Sequence, residues 1–311
     1  MNYSDFLSKI CRDMEKRYTK ASVSIQPVLK NNSRRLDGLL ILQPGENIAP
    51  TIYLNPYYTR YRQGSSLNDL LDEIADIYEA HRFPSLFDLS LLHDFNRVRD
   101  RICFRLINRA SNLELLADIP YFPFLDLAIV FFFTLEDEII GSSTVLIHNS
   151  HLALWGTTKE ALFSLAKTNT PTLSGHELVP MERLIFPDVQ KECLSSHSTT
   201  DLFVLSNKNR LFGAACLLYK DLLPSFADML RDDFYVLPSS IHEVLLLPVK
   251  KSPPPNSLLE MVQDINRTEV GPEDVLSDHI YLYQARENRL GIVLLAGYSN
   301  PQKSFMGQPI G

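Results

Sequence analysis

The stretch from Asp201 to Gln284 constrains the fold most, because short apolar runs alternate there with amphipathic segments. Four apolar runs closed by turn-forming residues predict buried strands, and they lie at residues 202–205, 234–237, 243–248 and 279–283. Residues 221–231 and the segment that begins at Ser257 carry capped apolar stripes, which predict two helices. The resulting order, strand, helix, strand, strand, helix, strand, is typical of a split βαβ sheet.

This order predicts an α+β fold with mixed or antiparallel sheets and helices on one face. A similar succession of strand, helix, hairpin and helix begins near residue 96, so an internal duplication is one hypothesis. Residues 173–200, rich in Pro, Ser and His, are typical of a linker between the halves. The predicted organisation is an N-terminal helix, hairpin and helix region, a first strand-helix-hairpin-helix unit, a second βαββαβ-like unit and a flexible tail, at residues 1–95, 96–185, 186–298 and 299–311.

The predicted topology also indicates where a site would lie. With right-handed crossovers, the ends of the first two strands of the C-terminal unit meet the starts of the last two at one sheet edge. Candidate catalytic or metal-binding residues at that edge are His242, Glu243, Asp278 and His279, since imidazole and carboxylate groups together bind divalent metals. The alternative is that they satisfy loop amides at the strand starts.

Other polar residues are predicted at the same edge. Asn207, Ser239 and Ser240 are candidate binding residues there. A Ser239 or Ser240 nucleophile with His242 as its base is the weaker chemical hypothesis, because residues so close in one turn seldom face each other.

A second candidate site combines polar and aromatic residues in the N-terminal region. Asp37, Asn55, Tyr57, Tyr58 and Tyr61 form it, and such aromatic enrichment would suit a protein interface. The alternative is ordinary turn chemistry at the Asp-Gly and Asn-Pro steps.

A basic segment precedes the middle of the chain. Arg97, Arg99, Arg101, Arg105 and Arg109 alternate with apolar residues, which predicts a strand with one basic face, and the first four are candidate phosphate-binding residues. The alternative is an arginine ladder paired with carboxylates, because residues after Ala110 carry a net charge of 14 − 24 = −10.

Charge and cysteine content indicate which partners and which cellular compartment we expect for the protein. The net charge of −7 argues against a general nucleic-acid-binding surface. Four cysteines without metal-type spacing predict reduced thiols of a cytoplasmic protein. The N-terminus lacks the pattern of a secretory signal, and the longest apolar run, residues 125–135, is about half of the ~20 residues that span a membrane, so we expect no membrane association.

No phosphate loop, Cys-x-x-Cys pair, nucleophile elbow or His-Glu-x-x-His motif is present. The favoured hypothesis is therefore a binding or interaction protein, with a protein partner allowed. The alternative is a metal-dependent hydrolase or nuclease that uses the His and carboxylate residues of the sheet edge. No motif indicates a cofactor or an oligomeric state.

Seven short stretches together resemble an uncharacterised bacterial family, domain of unknown function five-six-eight-eight. They are Arg35-Leu36-Asp37-Gly38, residues 48–55, Phe124-Leu125-Asp126-Leu127-Ala128, residues 151–156, Phe212-Gly213-Ala214-Ala215, residues 237–243 and Leu276-Ser277-Asp278-His279. The resemblance extends from the first helix to about Tyr283. It implies a fold and a compartment but no established activity.

Overall fold

A computed structural model describes residues 1–82, 90–137, 141–185, 202–294 and 305–309. The chain divides into two compact units. The first comprises residues 1–93 with residues 136–143, and the second comprises residues 94–135 with residues 144–311.

The first unit packs helices on a small antiparallel sheet. Its described elements are α1 (Tyr3–Arg17), β1 (Ser22–Leu29), β2 (Arg35–Leu42), β3 (Ile52–Tyr53), α2 (Asn55–Arg62), α3 (Leu67–His81) and α4 (Ser90–His93), with sheet order β1-β2-β3. Phe6, Ile10 and Met14 recur every four residues along α1, and this spacing places all three in the buried core. Asn2 caps this helix by accepting a hydrogen bond from the backbone N–H of Asp5.

Gly38 has a packing role in this sheet. It pairs with Tyr53 of β3, and a Cβ atom on it would lie 2.4 Å from the Thr51 methyl group. The close approach of β3 to β2 therefore requires glycine.

The second unit contains two sheets. Its described helices are α5 (Phe95–Val98), α6 (Leu113–Leu116), α7 (Asn149–Trp155), α8 (Lys159–Ser174), α9 (Met181–Ile185), α10 (Leu222–Leu230) and α11 (Pro255–Thr268). Its smaller sheet has the order β4-β6-β5, with β7 also paired to β6, and contains β4 (Ile102–Asn108), β5 (Tyr121–Phe124), β6 (Leu127–Asp137) and β7 (Gly141–Leu146). The residues of β6 and β7 that fall within 136–143 are assigned to the first unit.

The predicted basic strand begins later than expected. Residues 95–98 form α5 and Arg99–Arg101 form a 3-10 turn, so Arg105 lies on β4 whereas Arg97, Arg99 and Arg101 do not. The reason is a helix cap, because the Asp94 carboxylate accepts a hydrogen bond from the backbone N–H of Asn96. The alternation of arginines with apolar residues predicted a strand at the position where this helix begins.

The larger sheet has seven strands in the described part of the chain, in the order β14-β13-β12-β10-β11-β9-β8. They are β8 (Glu177–Pro180), β9 (Phe203–Ser206), β10 (Phe234–Leu237), β11 (Glu243–Pro248), β12 (Tyr281–Gln284), β13 (Arg289–Val293) and β14 (Phe305–Pro309). Every neighbouring pair is antiparallel. The predicted α+β class with antiparallel sheets is confirmed.

Two details of the predicted sheet need correction. A split βαβ order would place β9 between β11 and β12, but β10 occupies that position. Helices also cover both faces, since Phe226 of α10 contacts Phe234, whereas Leu258 of α11 packs with Tyr235 on the opposite face. Both crossovers move in the same direction across antiparallel strands, and right-handed connections then place the two helices on opposite faces.

Two predicted irregular segments contain strands. β8 lies within the predicted linker at residues 173–200, and β14 lies within the predicted tail at residues 299–311. The rest of these segments falls partly outside the described residues, which exclude 186–201, 295–304 and 310–311. The order of β5, β6 and β4 matches that of β10, β11 and β9, but the duplication stays a prediction.

Candidate functional site

The predicted meeting of strand ends is present in the larger sheet. The antiparallel register places the ends of β9 and β10 at the same sheet edge as the starts of β11 and β12. We call this edge, with residues 207–213, 238–243 and 274–280, the rim. Its backbone is tied together, because the N–H of Leu276 and of Ser277 donate to the carbonyls of Ser239 and Pro238.

The four candidate chemical residues share the rim without converging. Each has a different partner: His242 pairs with Asp274, Glu243 with Arg210, Asp278 with Asn266, and His279 with Asp126. β10 separates the starts of β11 and β12, which keeps the two histidines apart. Within the described residues, no three His, Cys, Asp or Glu side chains group in a way that could hold a metal ion.

The His242 ring is fixed by two contacts. Its Nδ1 accepts a hydrogen bond from the backbone N–H of Phe212 at 3.3 Å, and its Nε2 lies 3.3 Å from Asp274 Oδ1. Because Nδ1 is an acceptor, the proton of the neutral imidazole is on Nε2, where it can be donated to Asp274. The ring also stacks on Phe212 with centroids 5.8 Å apart.

The polar residues around His242 form hydrogen bonds with the backbone of neighbouring turns. The Ser240 hydroxyl accepts a hydrogen bond from the backbone N–H of His242, so it is not positioned as a nucleophile for that ring. Ser239 accepts through its carbonyl as described above. The Asn207 side chain both donates to and accepts from the backbone of Leu211. These contacts agree with the structural alternative for Asn207, Ser239 and Ser240.

A strained loop packs beneath this ring. Phe212 has a φ of 59°, which is unusual for a bulky residue. The next residue, Gly213, is enclosed, since a Cβ atom there would lie 2.4 Å from the His242 carbonyl oxygen and 2.6 Å from the Asn207 nitrogen. The loop geometry therefore depends on glycine at position 213.

A polar cluster at the rim centres on Asp126, which lies in the tight turn between β5 and β6 and contacts Ser277 and His279 of the rim. We call it the Asp126 cluster, and it contains Asp126, Ser277, His279 and Tyr281. Asp126 Oδ2 accepts from the Ser277 hydroxyl at 2.6 Å and contacts His279 Nδ1 at 3.1 Å, while Oδ1 accepts from the Tyr281 hydroxyl at 2.6 Å. It joins the smaller sheet to the larger one.

The electrostatics of the Asp126 cluster favour a charged pair. Burial alone would raise the pKa of the Asp126 carboxyl, but hydrogen bonds from His279, Ser277 and Tyr281 hold this pKa below its ordinary value. The hydrogen bond to Asp126 raises the pKa of His279 against the opposing effect of burial. Burial and the neighbouring carboxylate raise the pKa of Tyr281, which stays a hydrogen-bond donor.

A cleft of about 400 Å³ lies beside the β5–β6 turn. Its lining residues in the described part of the chain are the apolar Leu116, Ile119, Pro120, Pro123 and Leu152 and the polar or charged Arg109, Tyr121, Asn149 and Lys159. None of them is acidic. We call this the basic cleft. It adjoins the Asp126 cluster, because the backbone N–H of Arg109 donates to the Asp126 carbonyl.

The two cations of the basic cleft are Arg109 and Lys159. Within the described part of the chain, no carboxylate pairs with Arg109 or Lys159, and Lys159 Nζ lies 4.8 Å from the Phe122 ring centroid. Asp118, on the neighbouring segment, is instead paired with His148 at 2.7 Å.

A second cavity, in the first unit, has a different charge pattern. It is about 290 Å³ in volume and its charged lining residues are Asp13, Arg17 and Asp72. Arg17 pairs with Asp72 at 2.7 Å, and Asp13 pairs with Lys9 and Lys16. Its charges are therefore balanced within the chain.

The N-terminal candidate residues have structural contacts. The Tyr3 hydroxyl donates to Asp37 Oδ2 at 2.6 Å, and the Asn55 side chain accepts from the Asp37 N–H. Tyr57 is buried, while Tyr58 and Tyr61 pack on Phe6 as part of the core. The segment is thus helix α2 packed on α1, and its role as a protein interface stays a prediction.

Several residues of these sites were missed from the sequence. The sequence assigns no role to Asp274 or Lys159, it places Tyr281 only within a predicted strand, and it marks Asp126 only as part of a stretch that carries the family resemblance. The available signal was the pair of family stretches that contain Asp126 and His279, which the fold brings into contact.

Antiparallel sheets, helices on both faces and a rim of separately paired polar groups define an α+β protein without an assembled metal cluster in its described residues. The chain belongs to a family of unknown function, DUF5688, whose model matches residues 3–285. No curated protein and no solved structure gives a significant match. Among the described helices, none has the length and apolarity of a membrane span.

Proposed function

We propose that the protein is a cytoplasmic binding protein whose basic cleft holds a small anionic ligand with an apolar body. The observation that carries this proposal is that neither Arg109 nor Lys159 pairs with a carboxylate among the described residues, on a cleft whose described lining contains no acidic residue. In a region of the chain with net negative charge, two cations left without carboxylates are available to a ligand.

The dimensions and walls of the cleft support a small ligand. Its volume of about 400 Å³ lies within the ~300–1,000 Å³ of typical ligand sites. Leu116 and Ile119 are buried, and both line the cleft together with Tyr121. Such walls suit an aromatic or branched body, while the cations suit a carboxylate or phosphate group.

The state of the thiols supports a reducing compartment. Cys11, Cys103 and Cys216 are free, and Cys193 lies outside the described residues. Burial raises the pKa of Cys103 to about 11 and that of Cys216 to about 12, so both remain protonated and inert.

Isothermal titration with benzoate tests the proposal, and benzamide is the matched ligand because it has the same ring without the charge. We expect benzoate to bind and benzamide to bind at least about tenfold more weakly, which corresponds to about 1.4 kcal/mol. Arg109→Gln and Lys159→Gln should each weaken benzoate binding about fivefold or more, since each removes one charged contact.

Two matched variants serve as controls. Lys167→Gln removes a cation from the same helix outside the cleft, and Arg101→Gln removes an arginine ahead of β4. Both should bind benzoate like the wild type. Equal losses in the cleft and control variants would show a nonspecific charge effect and would refute the proposal, as would equal affinity for benzoate and benzamide.

A further inference from the structure

Arg105 is the arginine of the proposed basic segment that the fold places on β4. Its neighbours Phe104 and Leu106 are fully buried, and its guanidinium carbon lies 4.5 Å from the Phe212 ring centroid. This distance is typical of a cation–π contact. The residue keeps part of its surface exposed, so an ion can approach it from solvent.

The guanidinium of Arg105 has no counter-ion in the described part of the chain. Its Nε is enclosed without a hydrogen-bond acceptor, and no carboxylate pairs with it there. Other arginines differ, since Arg17, Arg60 and Arg82 each contact a carboxylate within 3 Å. Burial lowers the pKa of Arg105 to about 10, which leaves the group charged at neutral pH.

The Phe212 ring under the Arg105 guanidinium is the platform of this cation, and several contacts hold its backbone in a strained conformation. Phe212 keeps its φ of 59° because His242 accepts its N–H and stacks on its ring, while Gly213 is enclosed behind it. Strained residues of this kind persist where the surrounding structure fixes them and are enriched at ligand sites. The position of Phe212 below the guanidinium is therefore determined by the rim.

We infer that Arg105 and Phe212 form a receptor for an oxyanion, a carboxylate or a phosphate, of a ligand. A planar guanidinium fixed on a ring offers its remaining N–H groups in the fork geometry that pairs with two oxygens of such a group. An unpaired charge in a largely enclosed position is unfavourable until an anion compensates it. This receptor is separate from the basic cleft and does not depend on the function proposed for that cleft.

The test measures thermal unfolding and direct titration with two probes, inorganic phosphate and acetate, against chloride at equal ionic strength. We expect at least one probe to stabilise the wild type by about 2 °C or more at saturation. Arg105→Met, which keeps the shape without the charge, should abolish this stabilisation. Arg105→Lys, which keeps the charge without the planar fork, should weaken binding about tenfold.

Control variants separate this receptor from the basic cleft and from general charge effects. The double variant Arg109→Gln with Lys159→Gln should retain the Arg105-dependent response, and Arg101→Met should respond like the wild type. Stabilisation by phosphate alone or by acetate alone assigns the ligand group.

An equal response of the wild type and Arg105→Met overturns the inference. So does the absence of a response to both probes, because the charge would then be compensated by Phe212, solvent or another part of the chain. If Arg105→Met does not fold, unchanged affinity in Arg105→Lys overturns it.

Discussion

Replacing Asp126 by Asn tests whether the Asp126 cluster joins the two sheets of the second unit. The substitution keeps the size of the side chain but removes its charge and one acceptor oxygen. In the wild type, Oδ2 contacts both the Ser277 hydroxyl and His279 Nδ1, and Oδ1 accepts from the Tyr281 hydroxyl. An Asn oxygen can preserve one of these two arrangements but not both.

The expected loss follows from burial and hydrogen bonding. Ser277 and Tyr281 are fully buried, and the Asp126 side chain is only 19% exposed, so water has little access to the hydrogen bonds between these side chains. A hydrogen bond to a charged group contributes about 1.5–3 kcal/mol, and a buried donor left unpaired costs about 1–3 kcal/mol. Because the three bonds share one carboxylate, these values do not add. We expect Asp126→Asn to lower the free energy of unfolding by about 3 kcal/mol.

Urea unfolding followed by tryptophan fluorescence is the suitable assay. The chain has a single tryptophan, Trp155, and it lies in α7 of the second unit, so its emission reports on the unit that contains the cluster. Asp118→Asn is the matched control, because Asp118 also pairs with a histidine, His148 at 2.7 Å, but its side chain is 69% exposed. An exposed pair contributes about 0–1 kcal/mol, so the control should change little.

The difference in unfolding free energy between the two variants tests whether the Asp126 cluster stabilises the second unit. If Asp126→Asn and Asp118→Asn differ by less than about 0.5 kcal/mol, the hydrogen bonds of the Asp126 cluster do not hold the sheets together. The inferred difference between buried and exposed pairs would then be wrong for this protein.

Two further predictions concern the rim. The pKa of His279 is raised, so its stabilising effect should be complete below the unfolded pKa of about 6.5 and be lost as pH rises through the folded value. The pKa of Asp126 is lowered, so its contribution is lost only as pH falls from about 4 through its folded value. The stability difference between wild type and His279→Gln, measured by urea unfolding, should therefore be larger near pH 6 than near pH 9, and an equal difference would contradict the charged pair. Gly213→Ala should destabilise by about 1–3 kcal/mol because its Cβ would overlap fixed backbone atoms. Gly271→Ala, where the nearest atom is the Asp274 carboxylate at 3.1 Å, should cost less than about 1 kcal/mol, and equal effects would refute the packing argument.

Much of the rim followed from the sequence because hydrophobic runs and turn residues locate strands locally. The succession of β9, β10, β11 and β12 along the chain and their directions were sufficient to place the start of β11 and that of β12 at one edge, although the predicted spatial order of the strands was wrong. A prediction of this kind needs no knowledge of side-chain partners, since strand direction alone decides which ends meet.

The partners themselves were not predictable. Asp126 lies more than 150 positions from Ser277, His279 and Tyr281, and no local pattern relates residues at such separation. His279 was grouped with Asp278, its neighbour in sequence, but β10 between β11 and β12 and the packing of the β5–β6 turn gave it Asp126 instead. The position of Arg105 was obscured for another reason. Three of the five arginines in the basic segment belong to helix α5, which Asp94 caps, or to the 3-10 turn that follows it.

The stretches that carry the family resemblance contain residues with structural roles, whereas the charged residues of the basic cleft and Arg105 lie outside these stretches. Asp126 with His279, Gly213 with His242, and Gly38 with Asn55 are pairs drawn from stretches that carry the family resemblance, and the structure gives members of each pair a role in joining or closing strands. Of the residues that line the basic cleft, by contrast, only Leu152 belongs to such a stretch. We therefore expect substitutions in these pairs to change stability, whereas changes at Arg109 or Lys159 should change ligand affinity and leave the fold intact. Phe212 belongs to a family stretch and Arg105 does not. We therefore expect Phe212 variants to lose stability as well as anion binding, whereas Arg105 variants should lose anion binding alone.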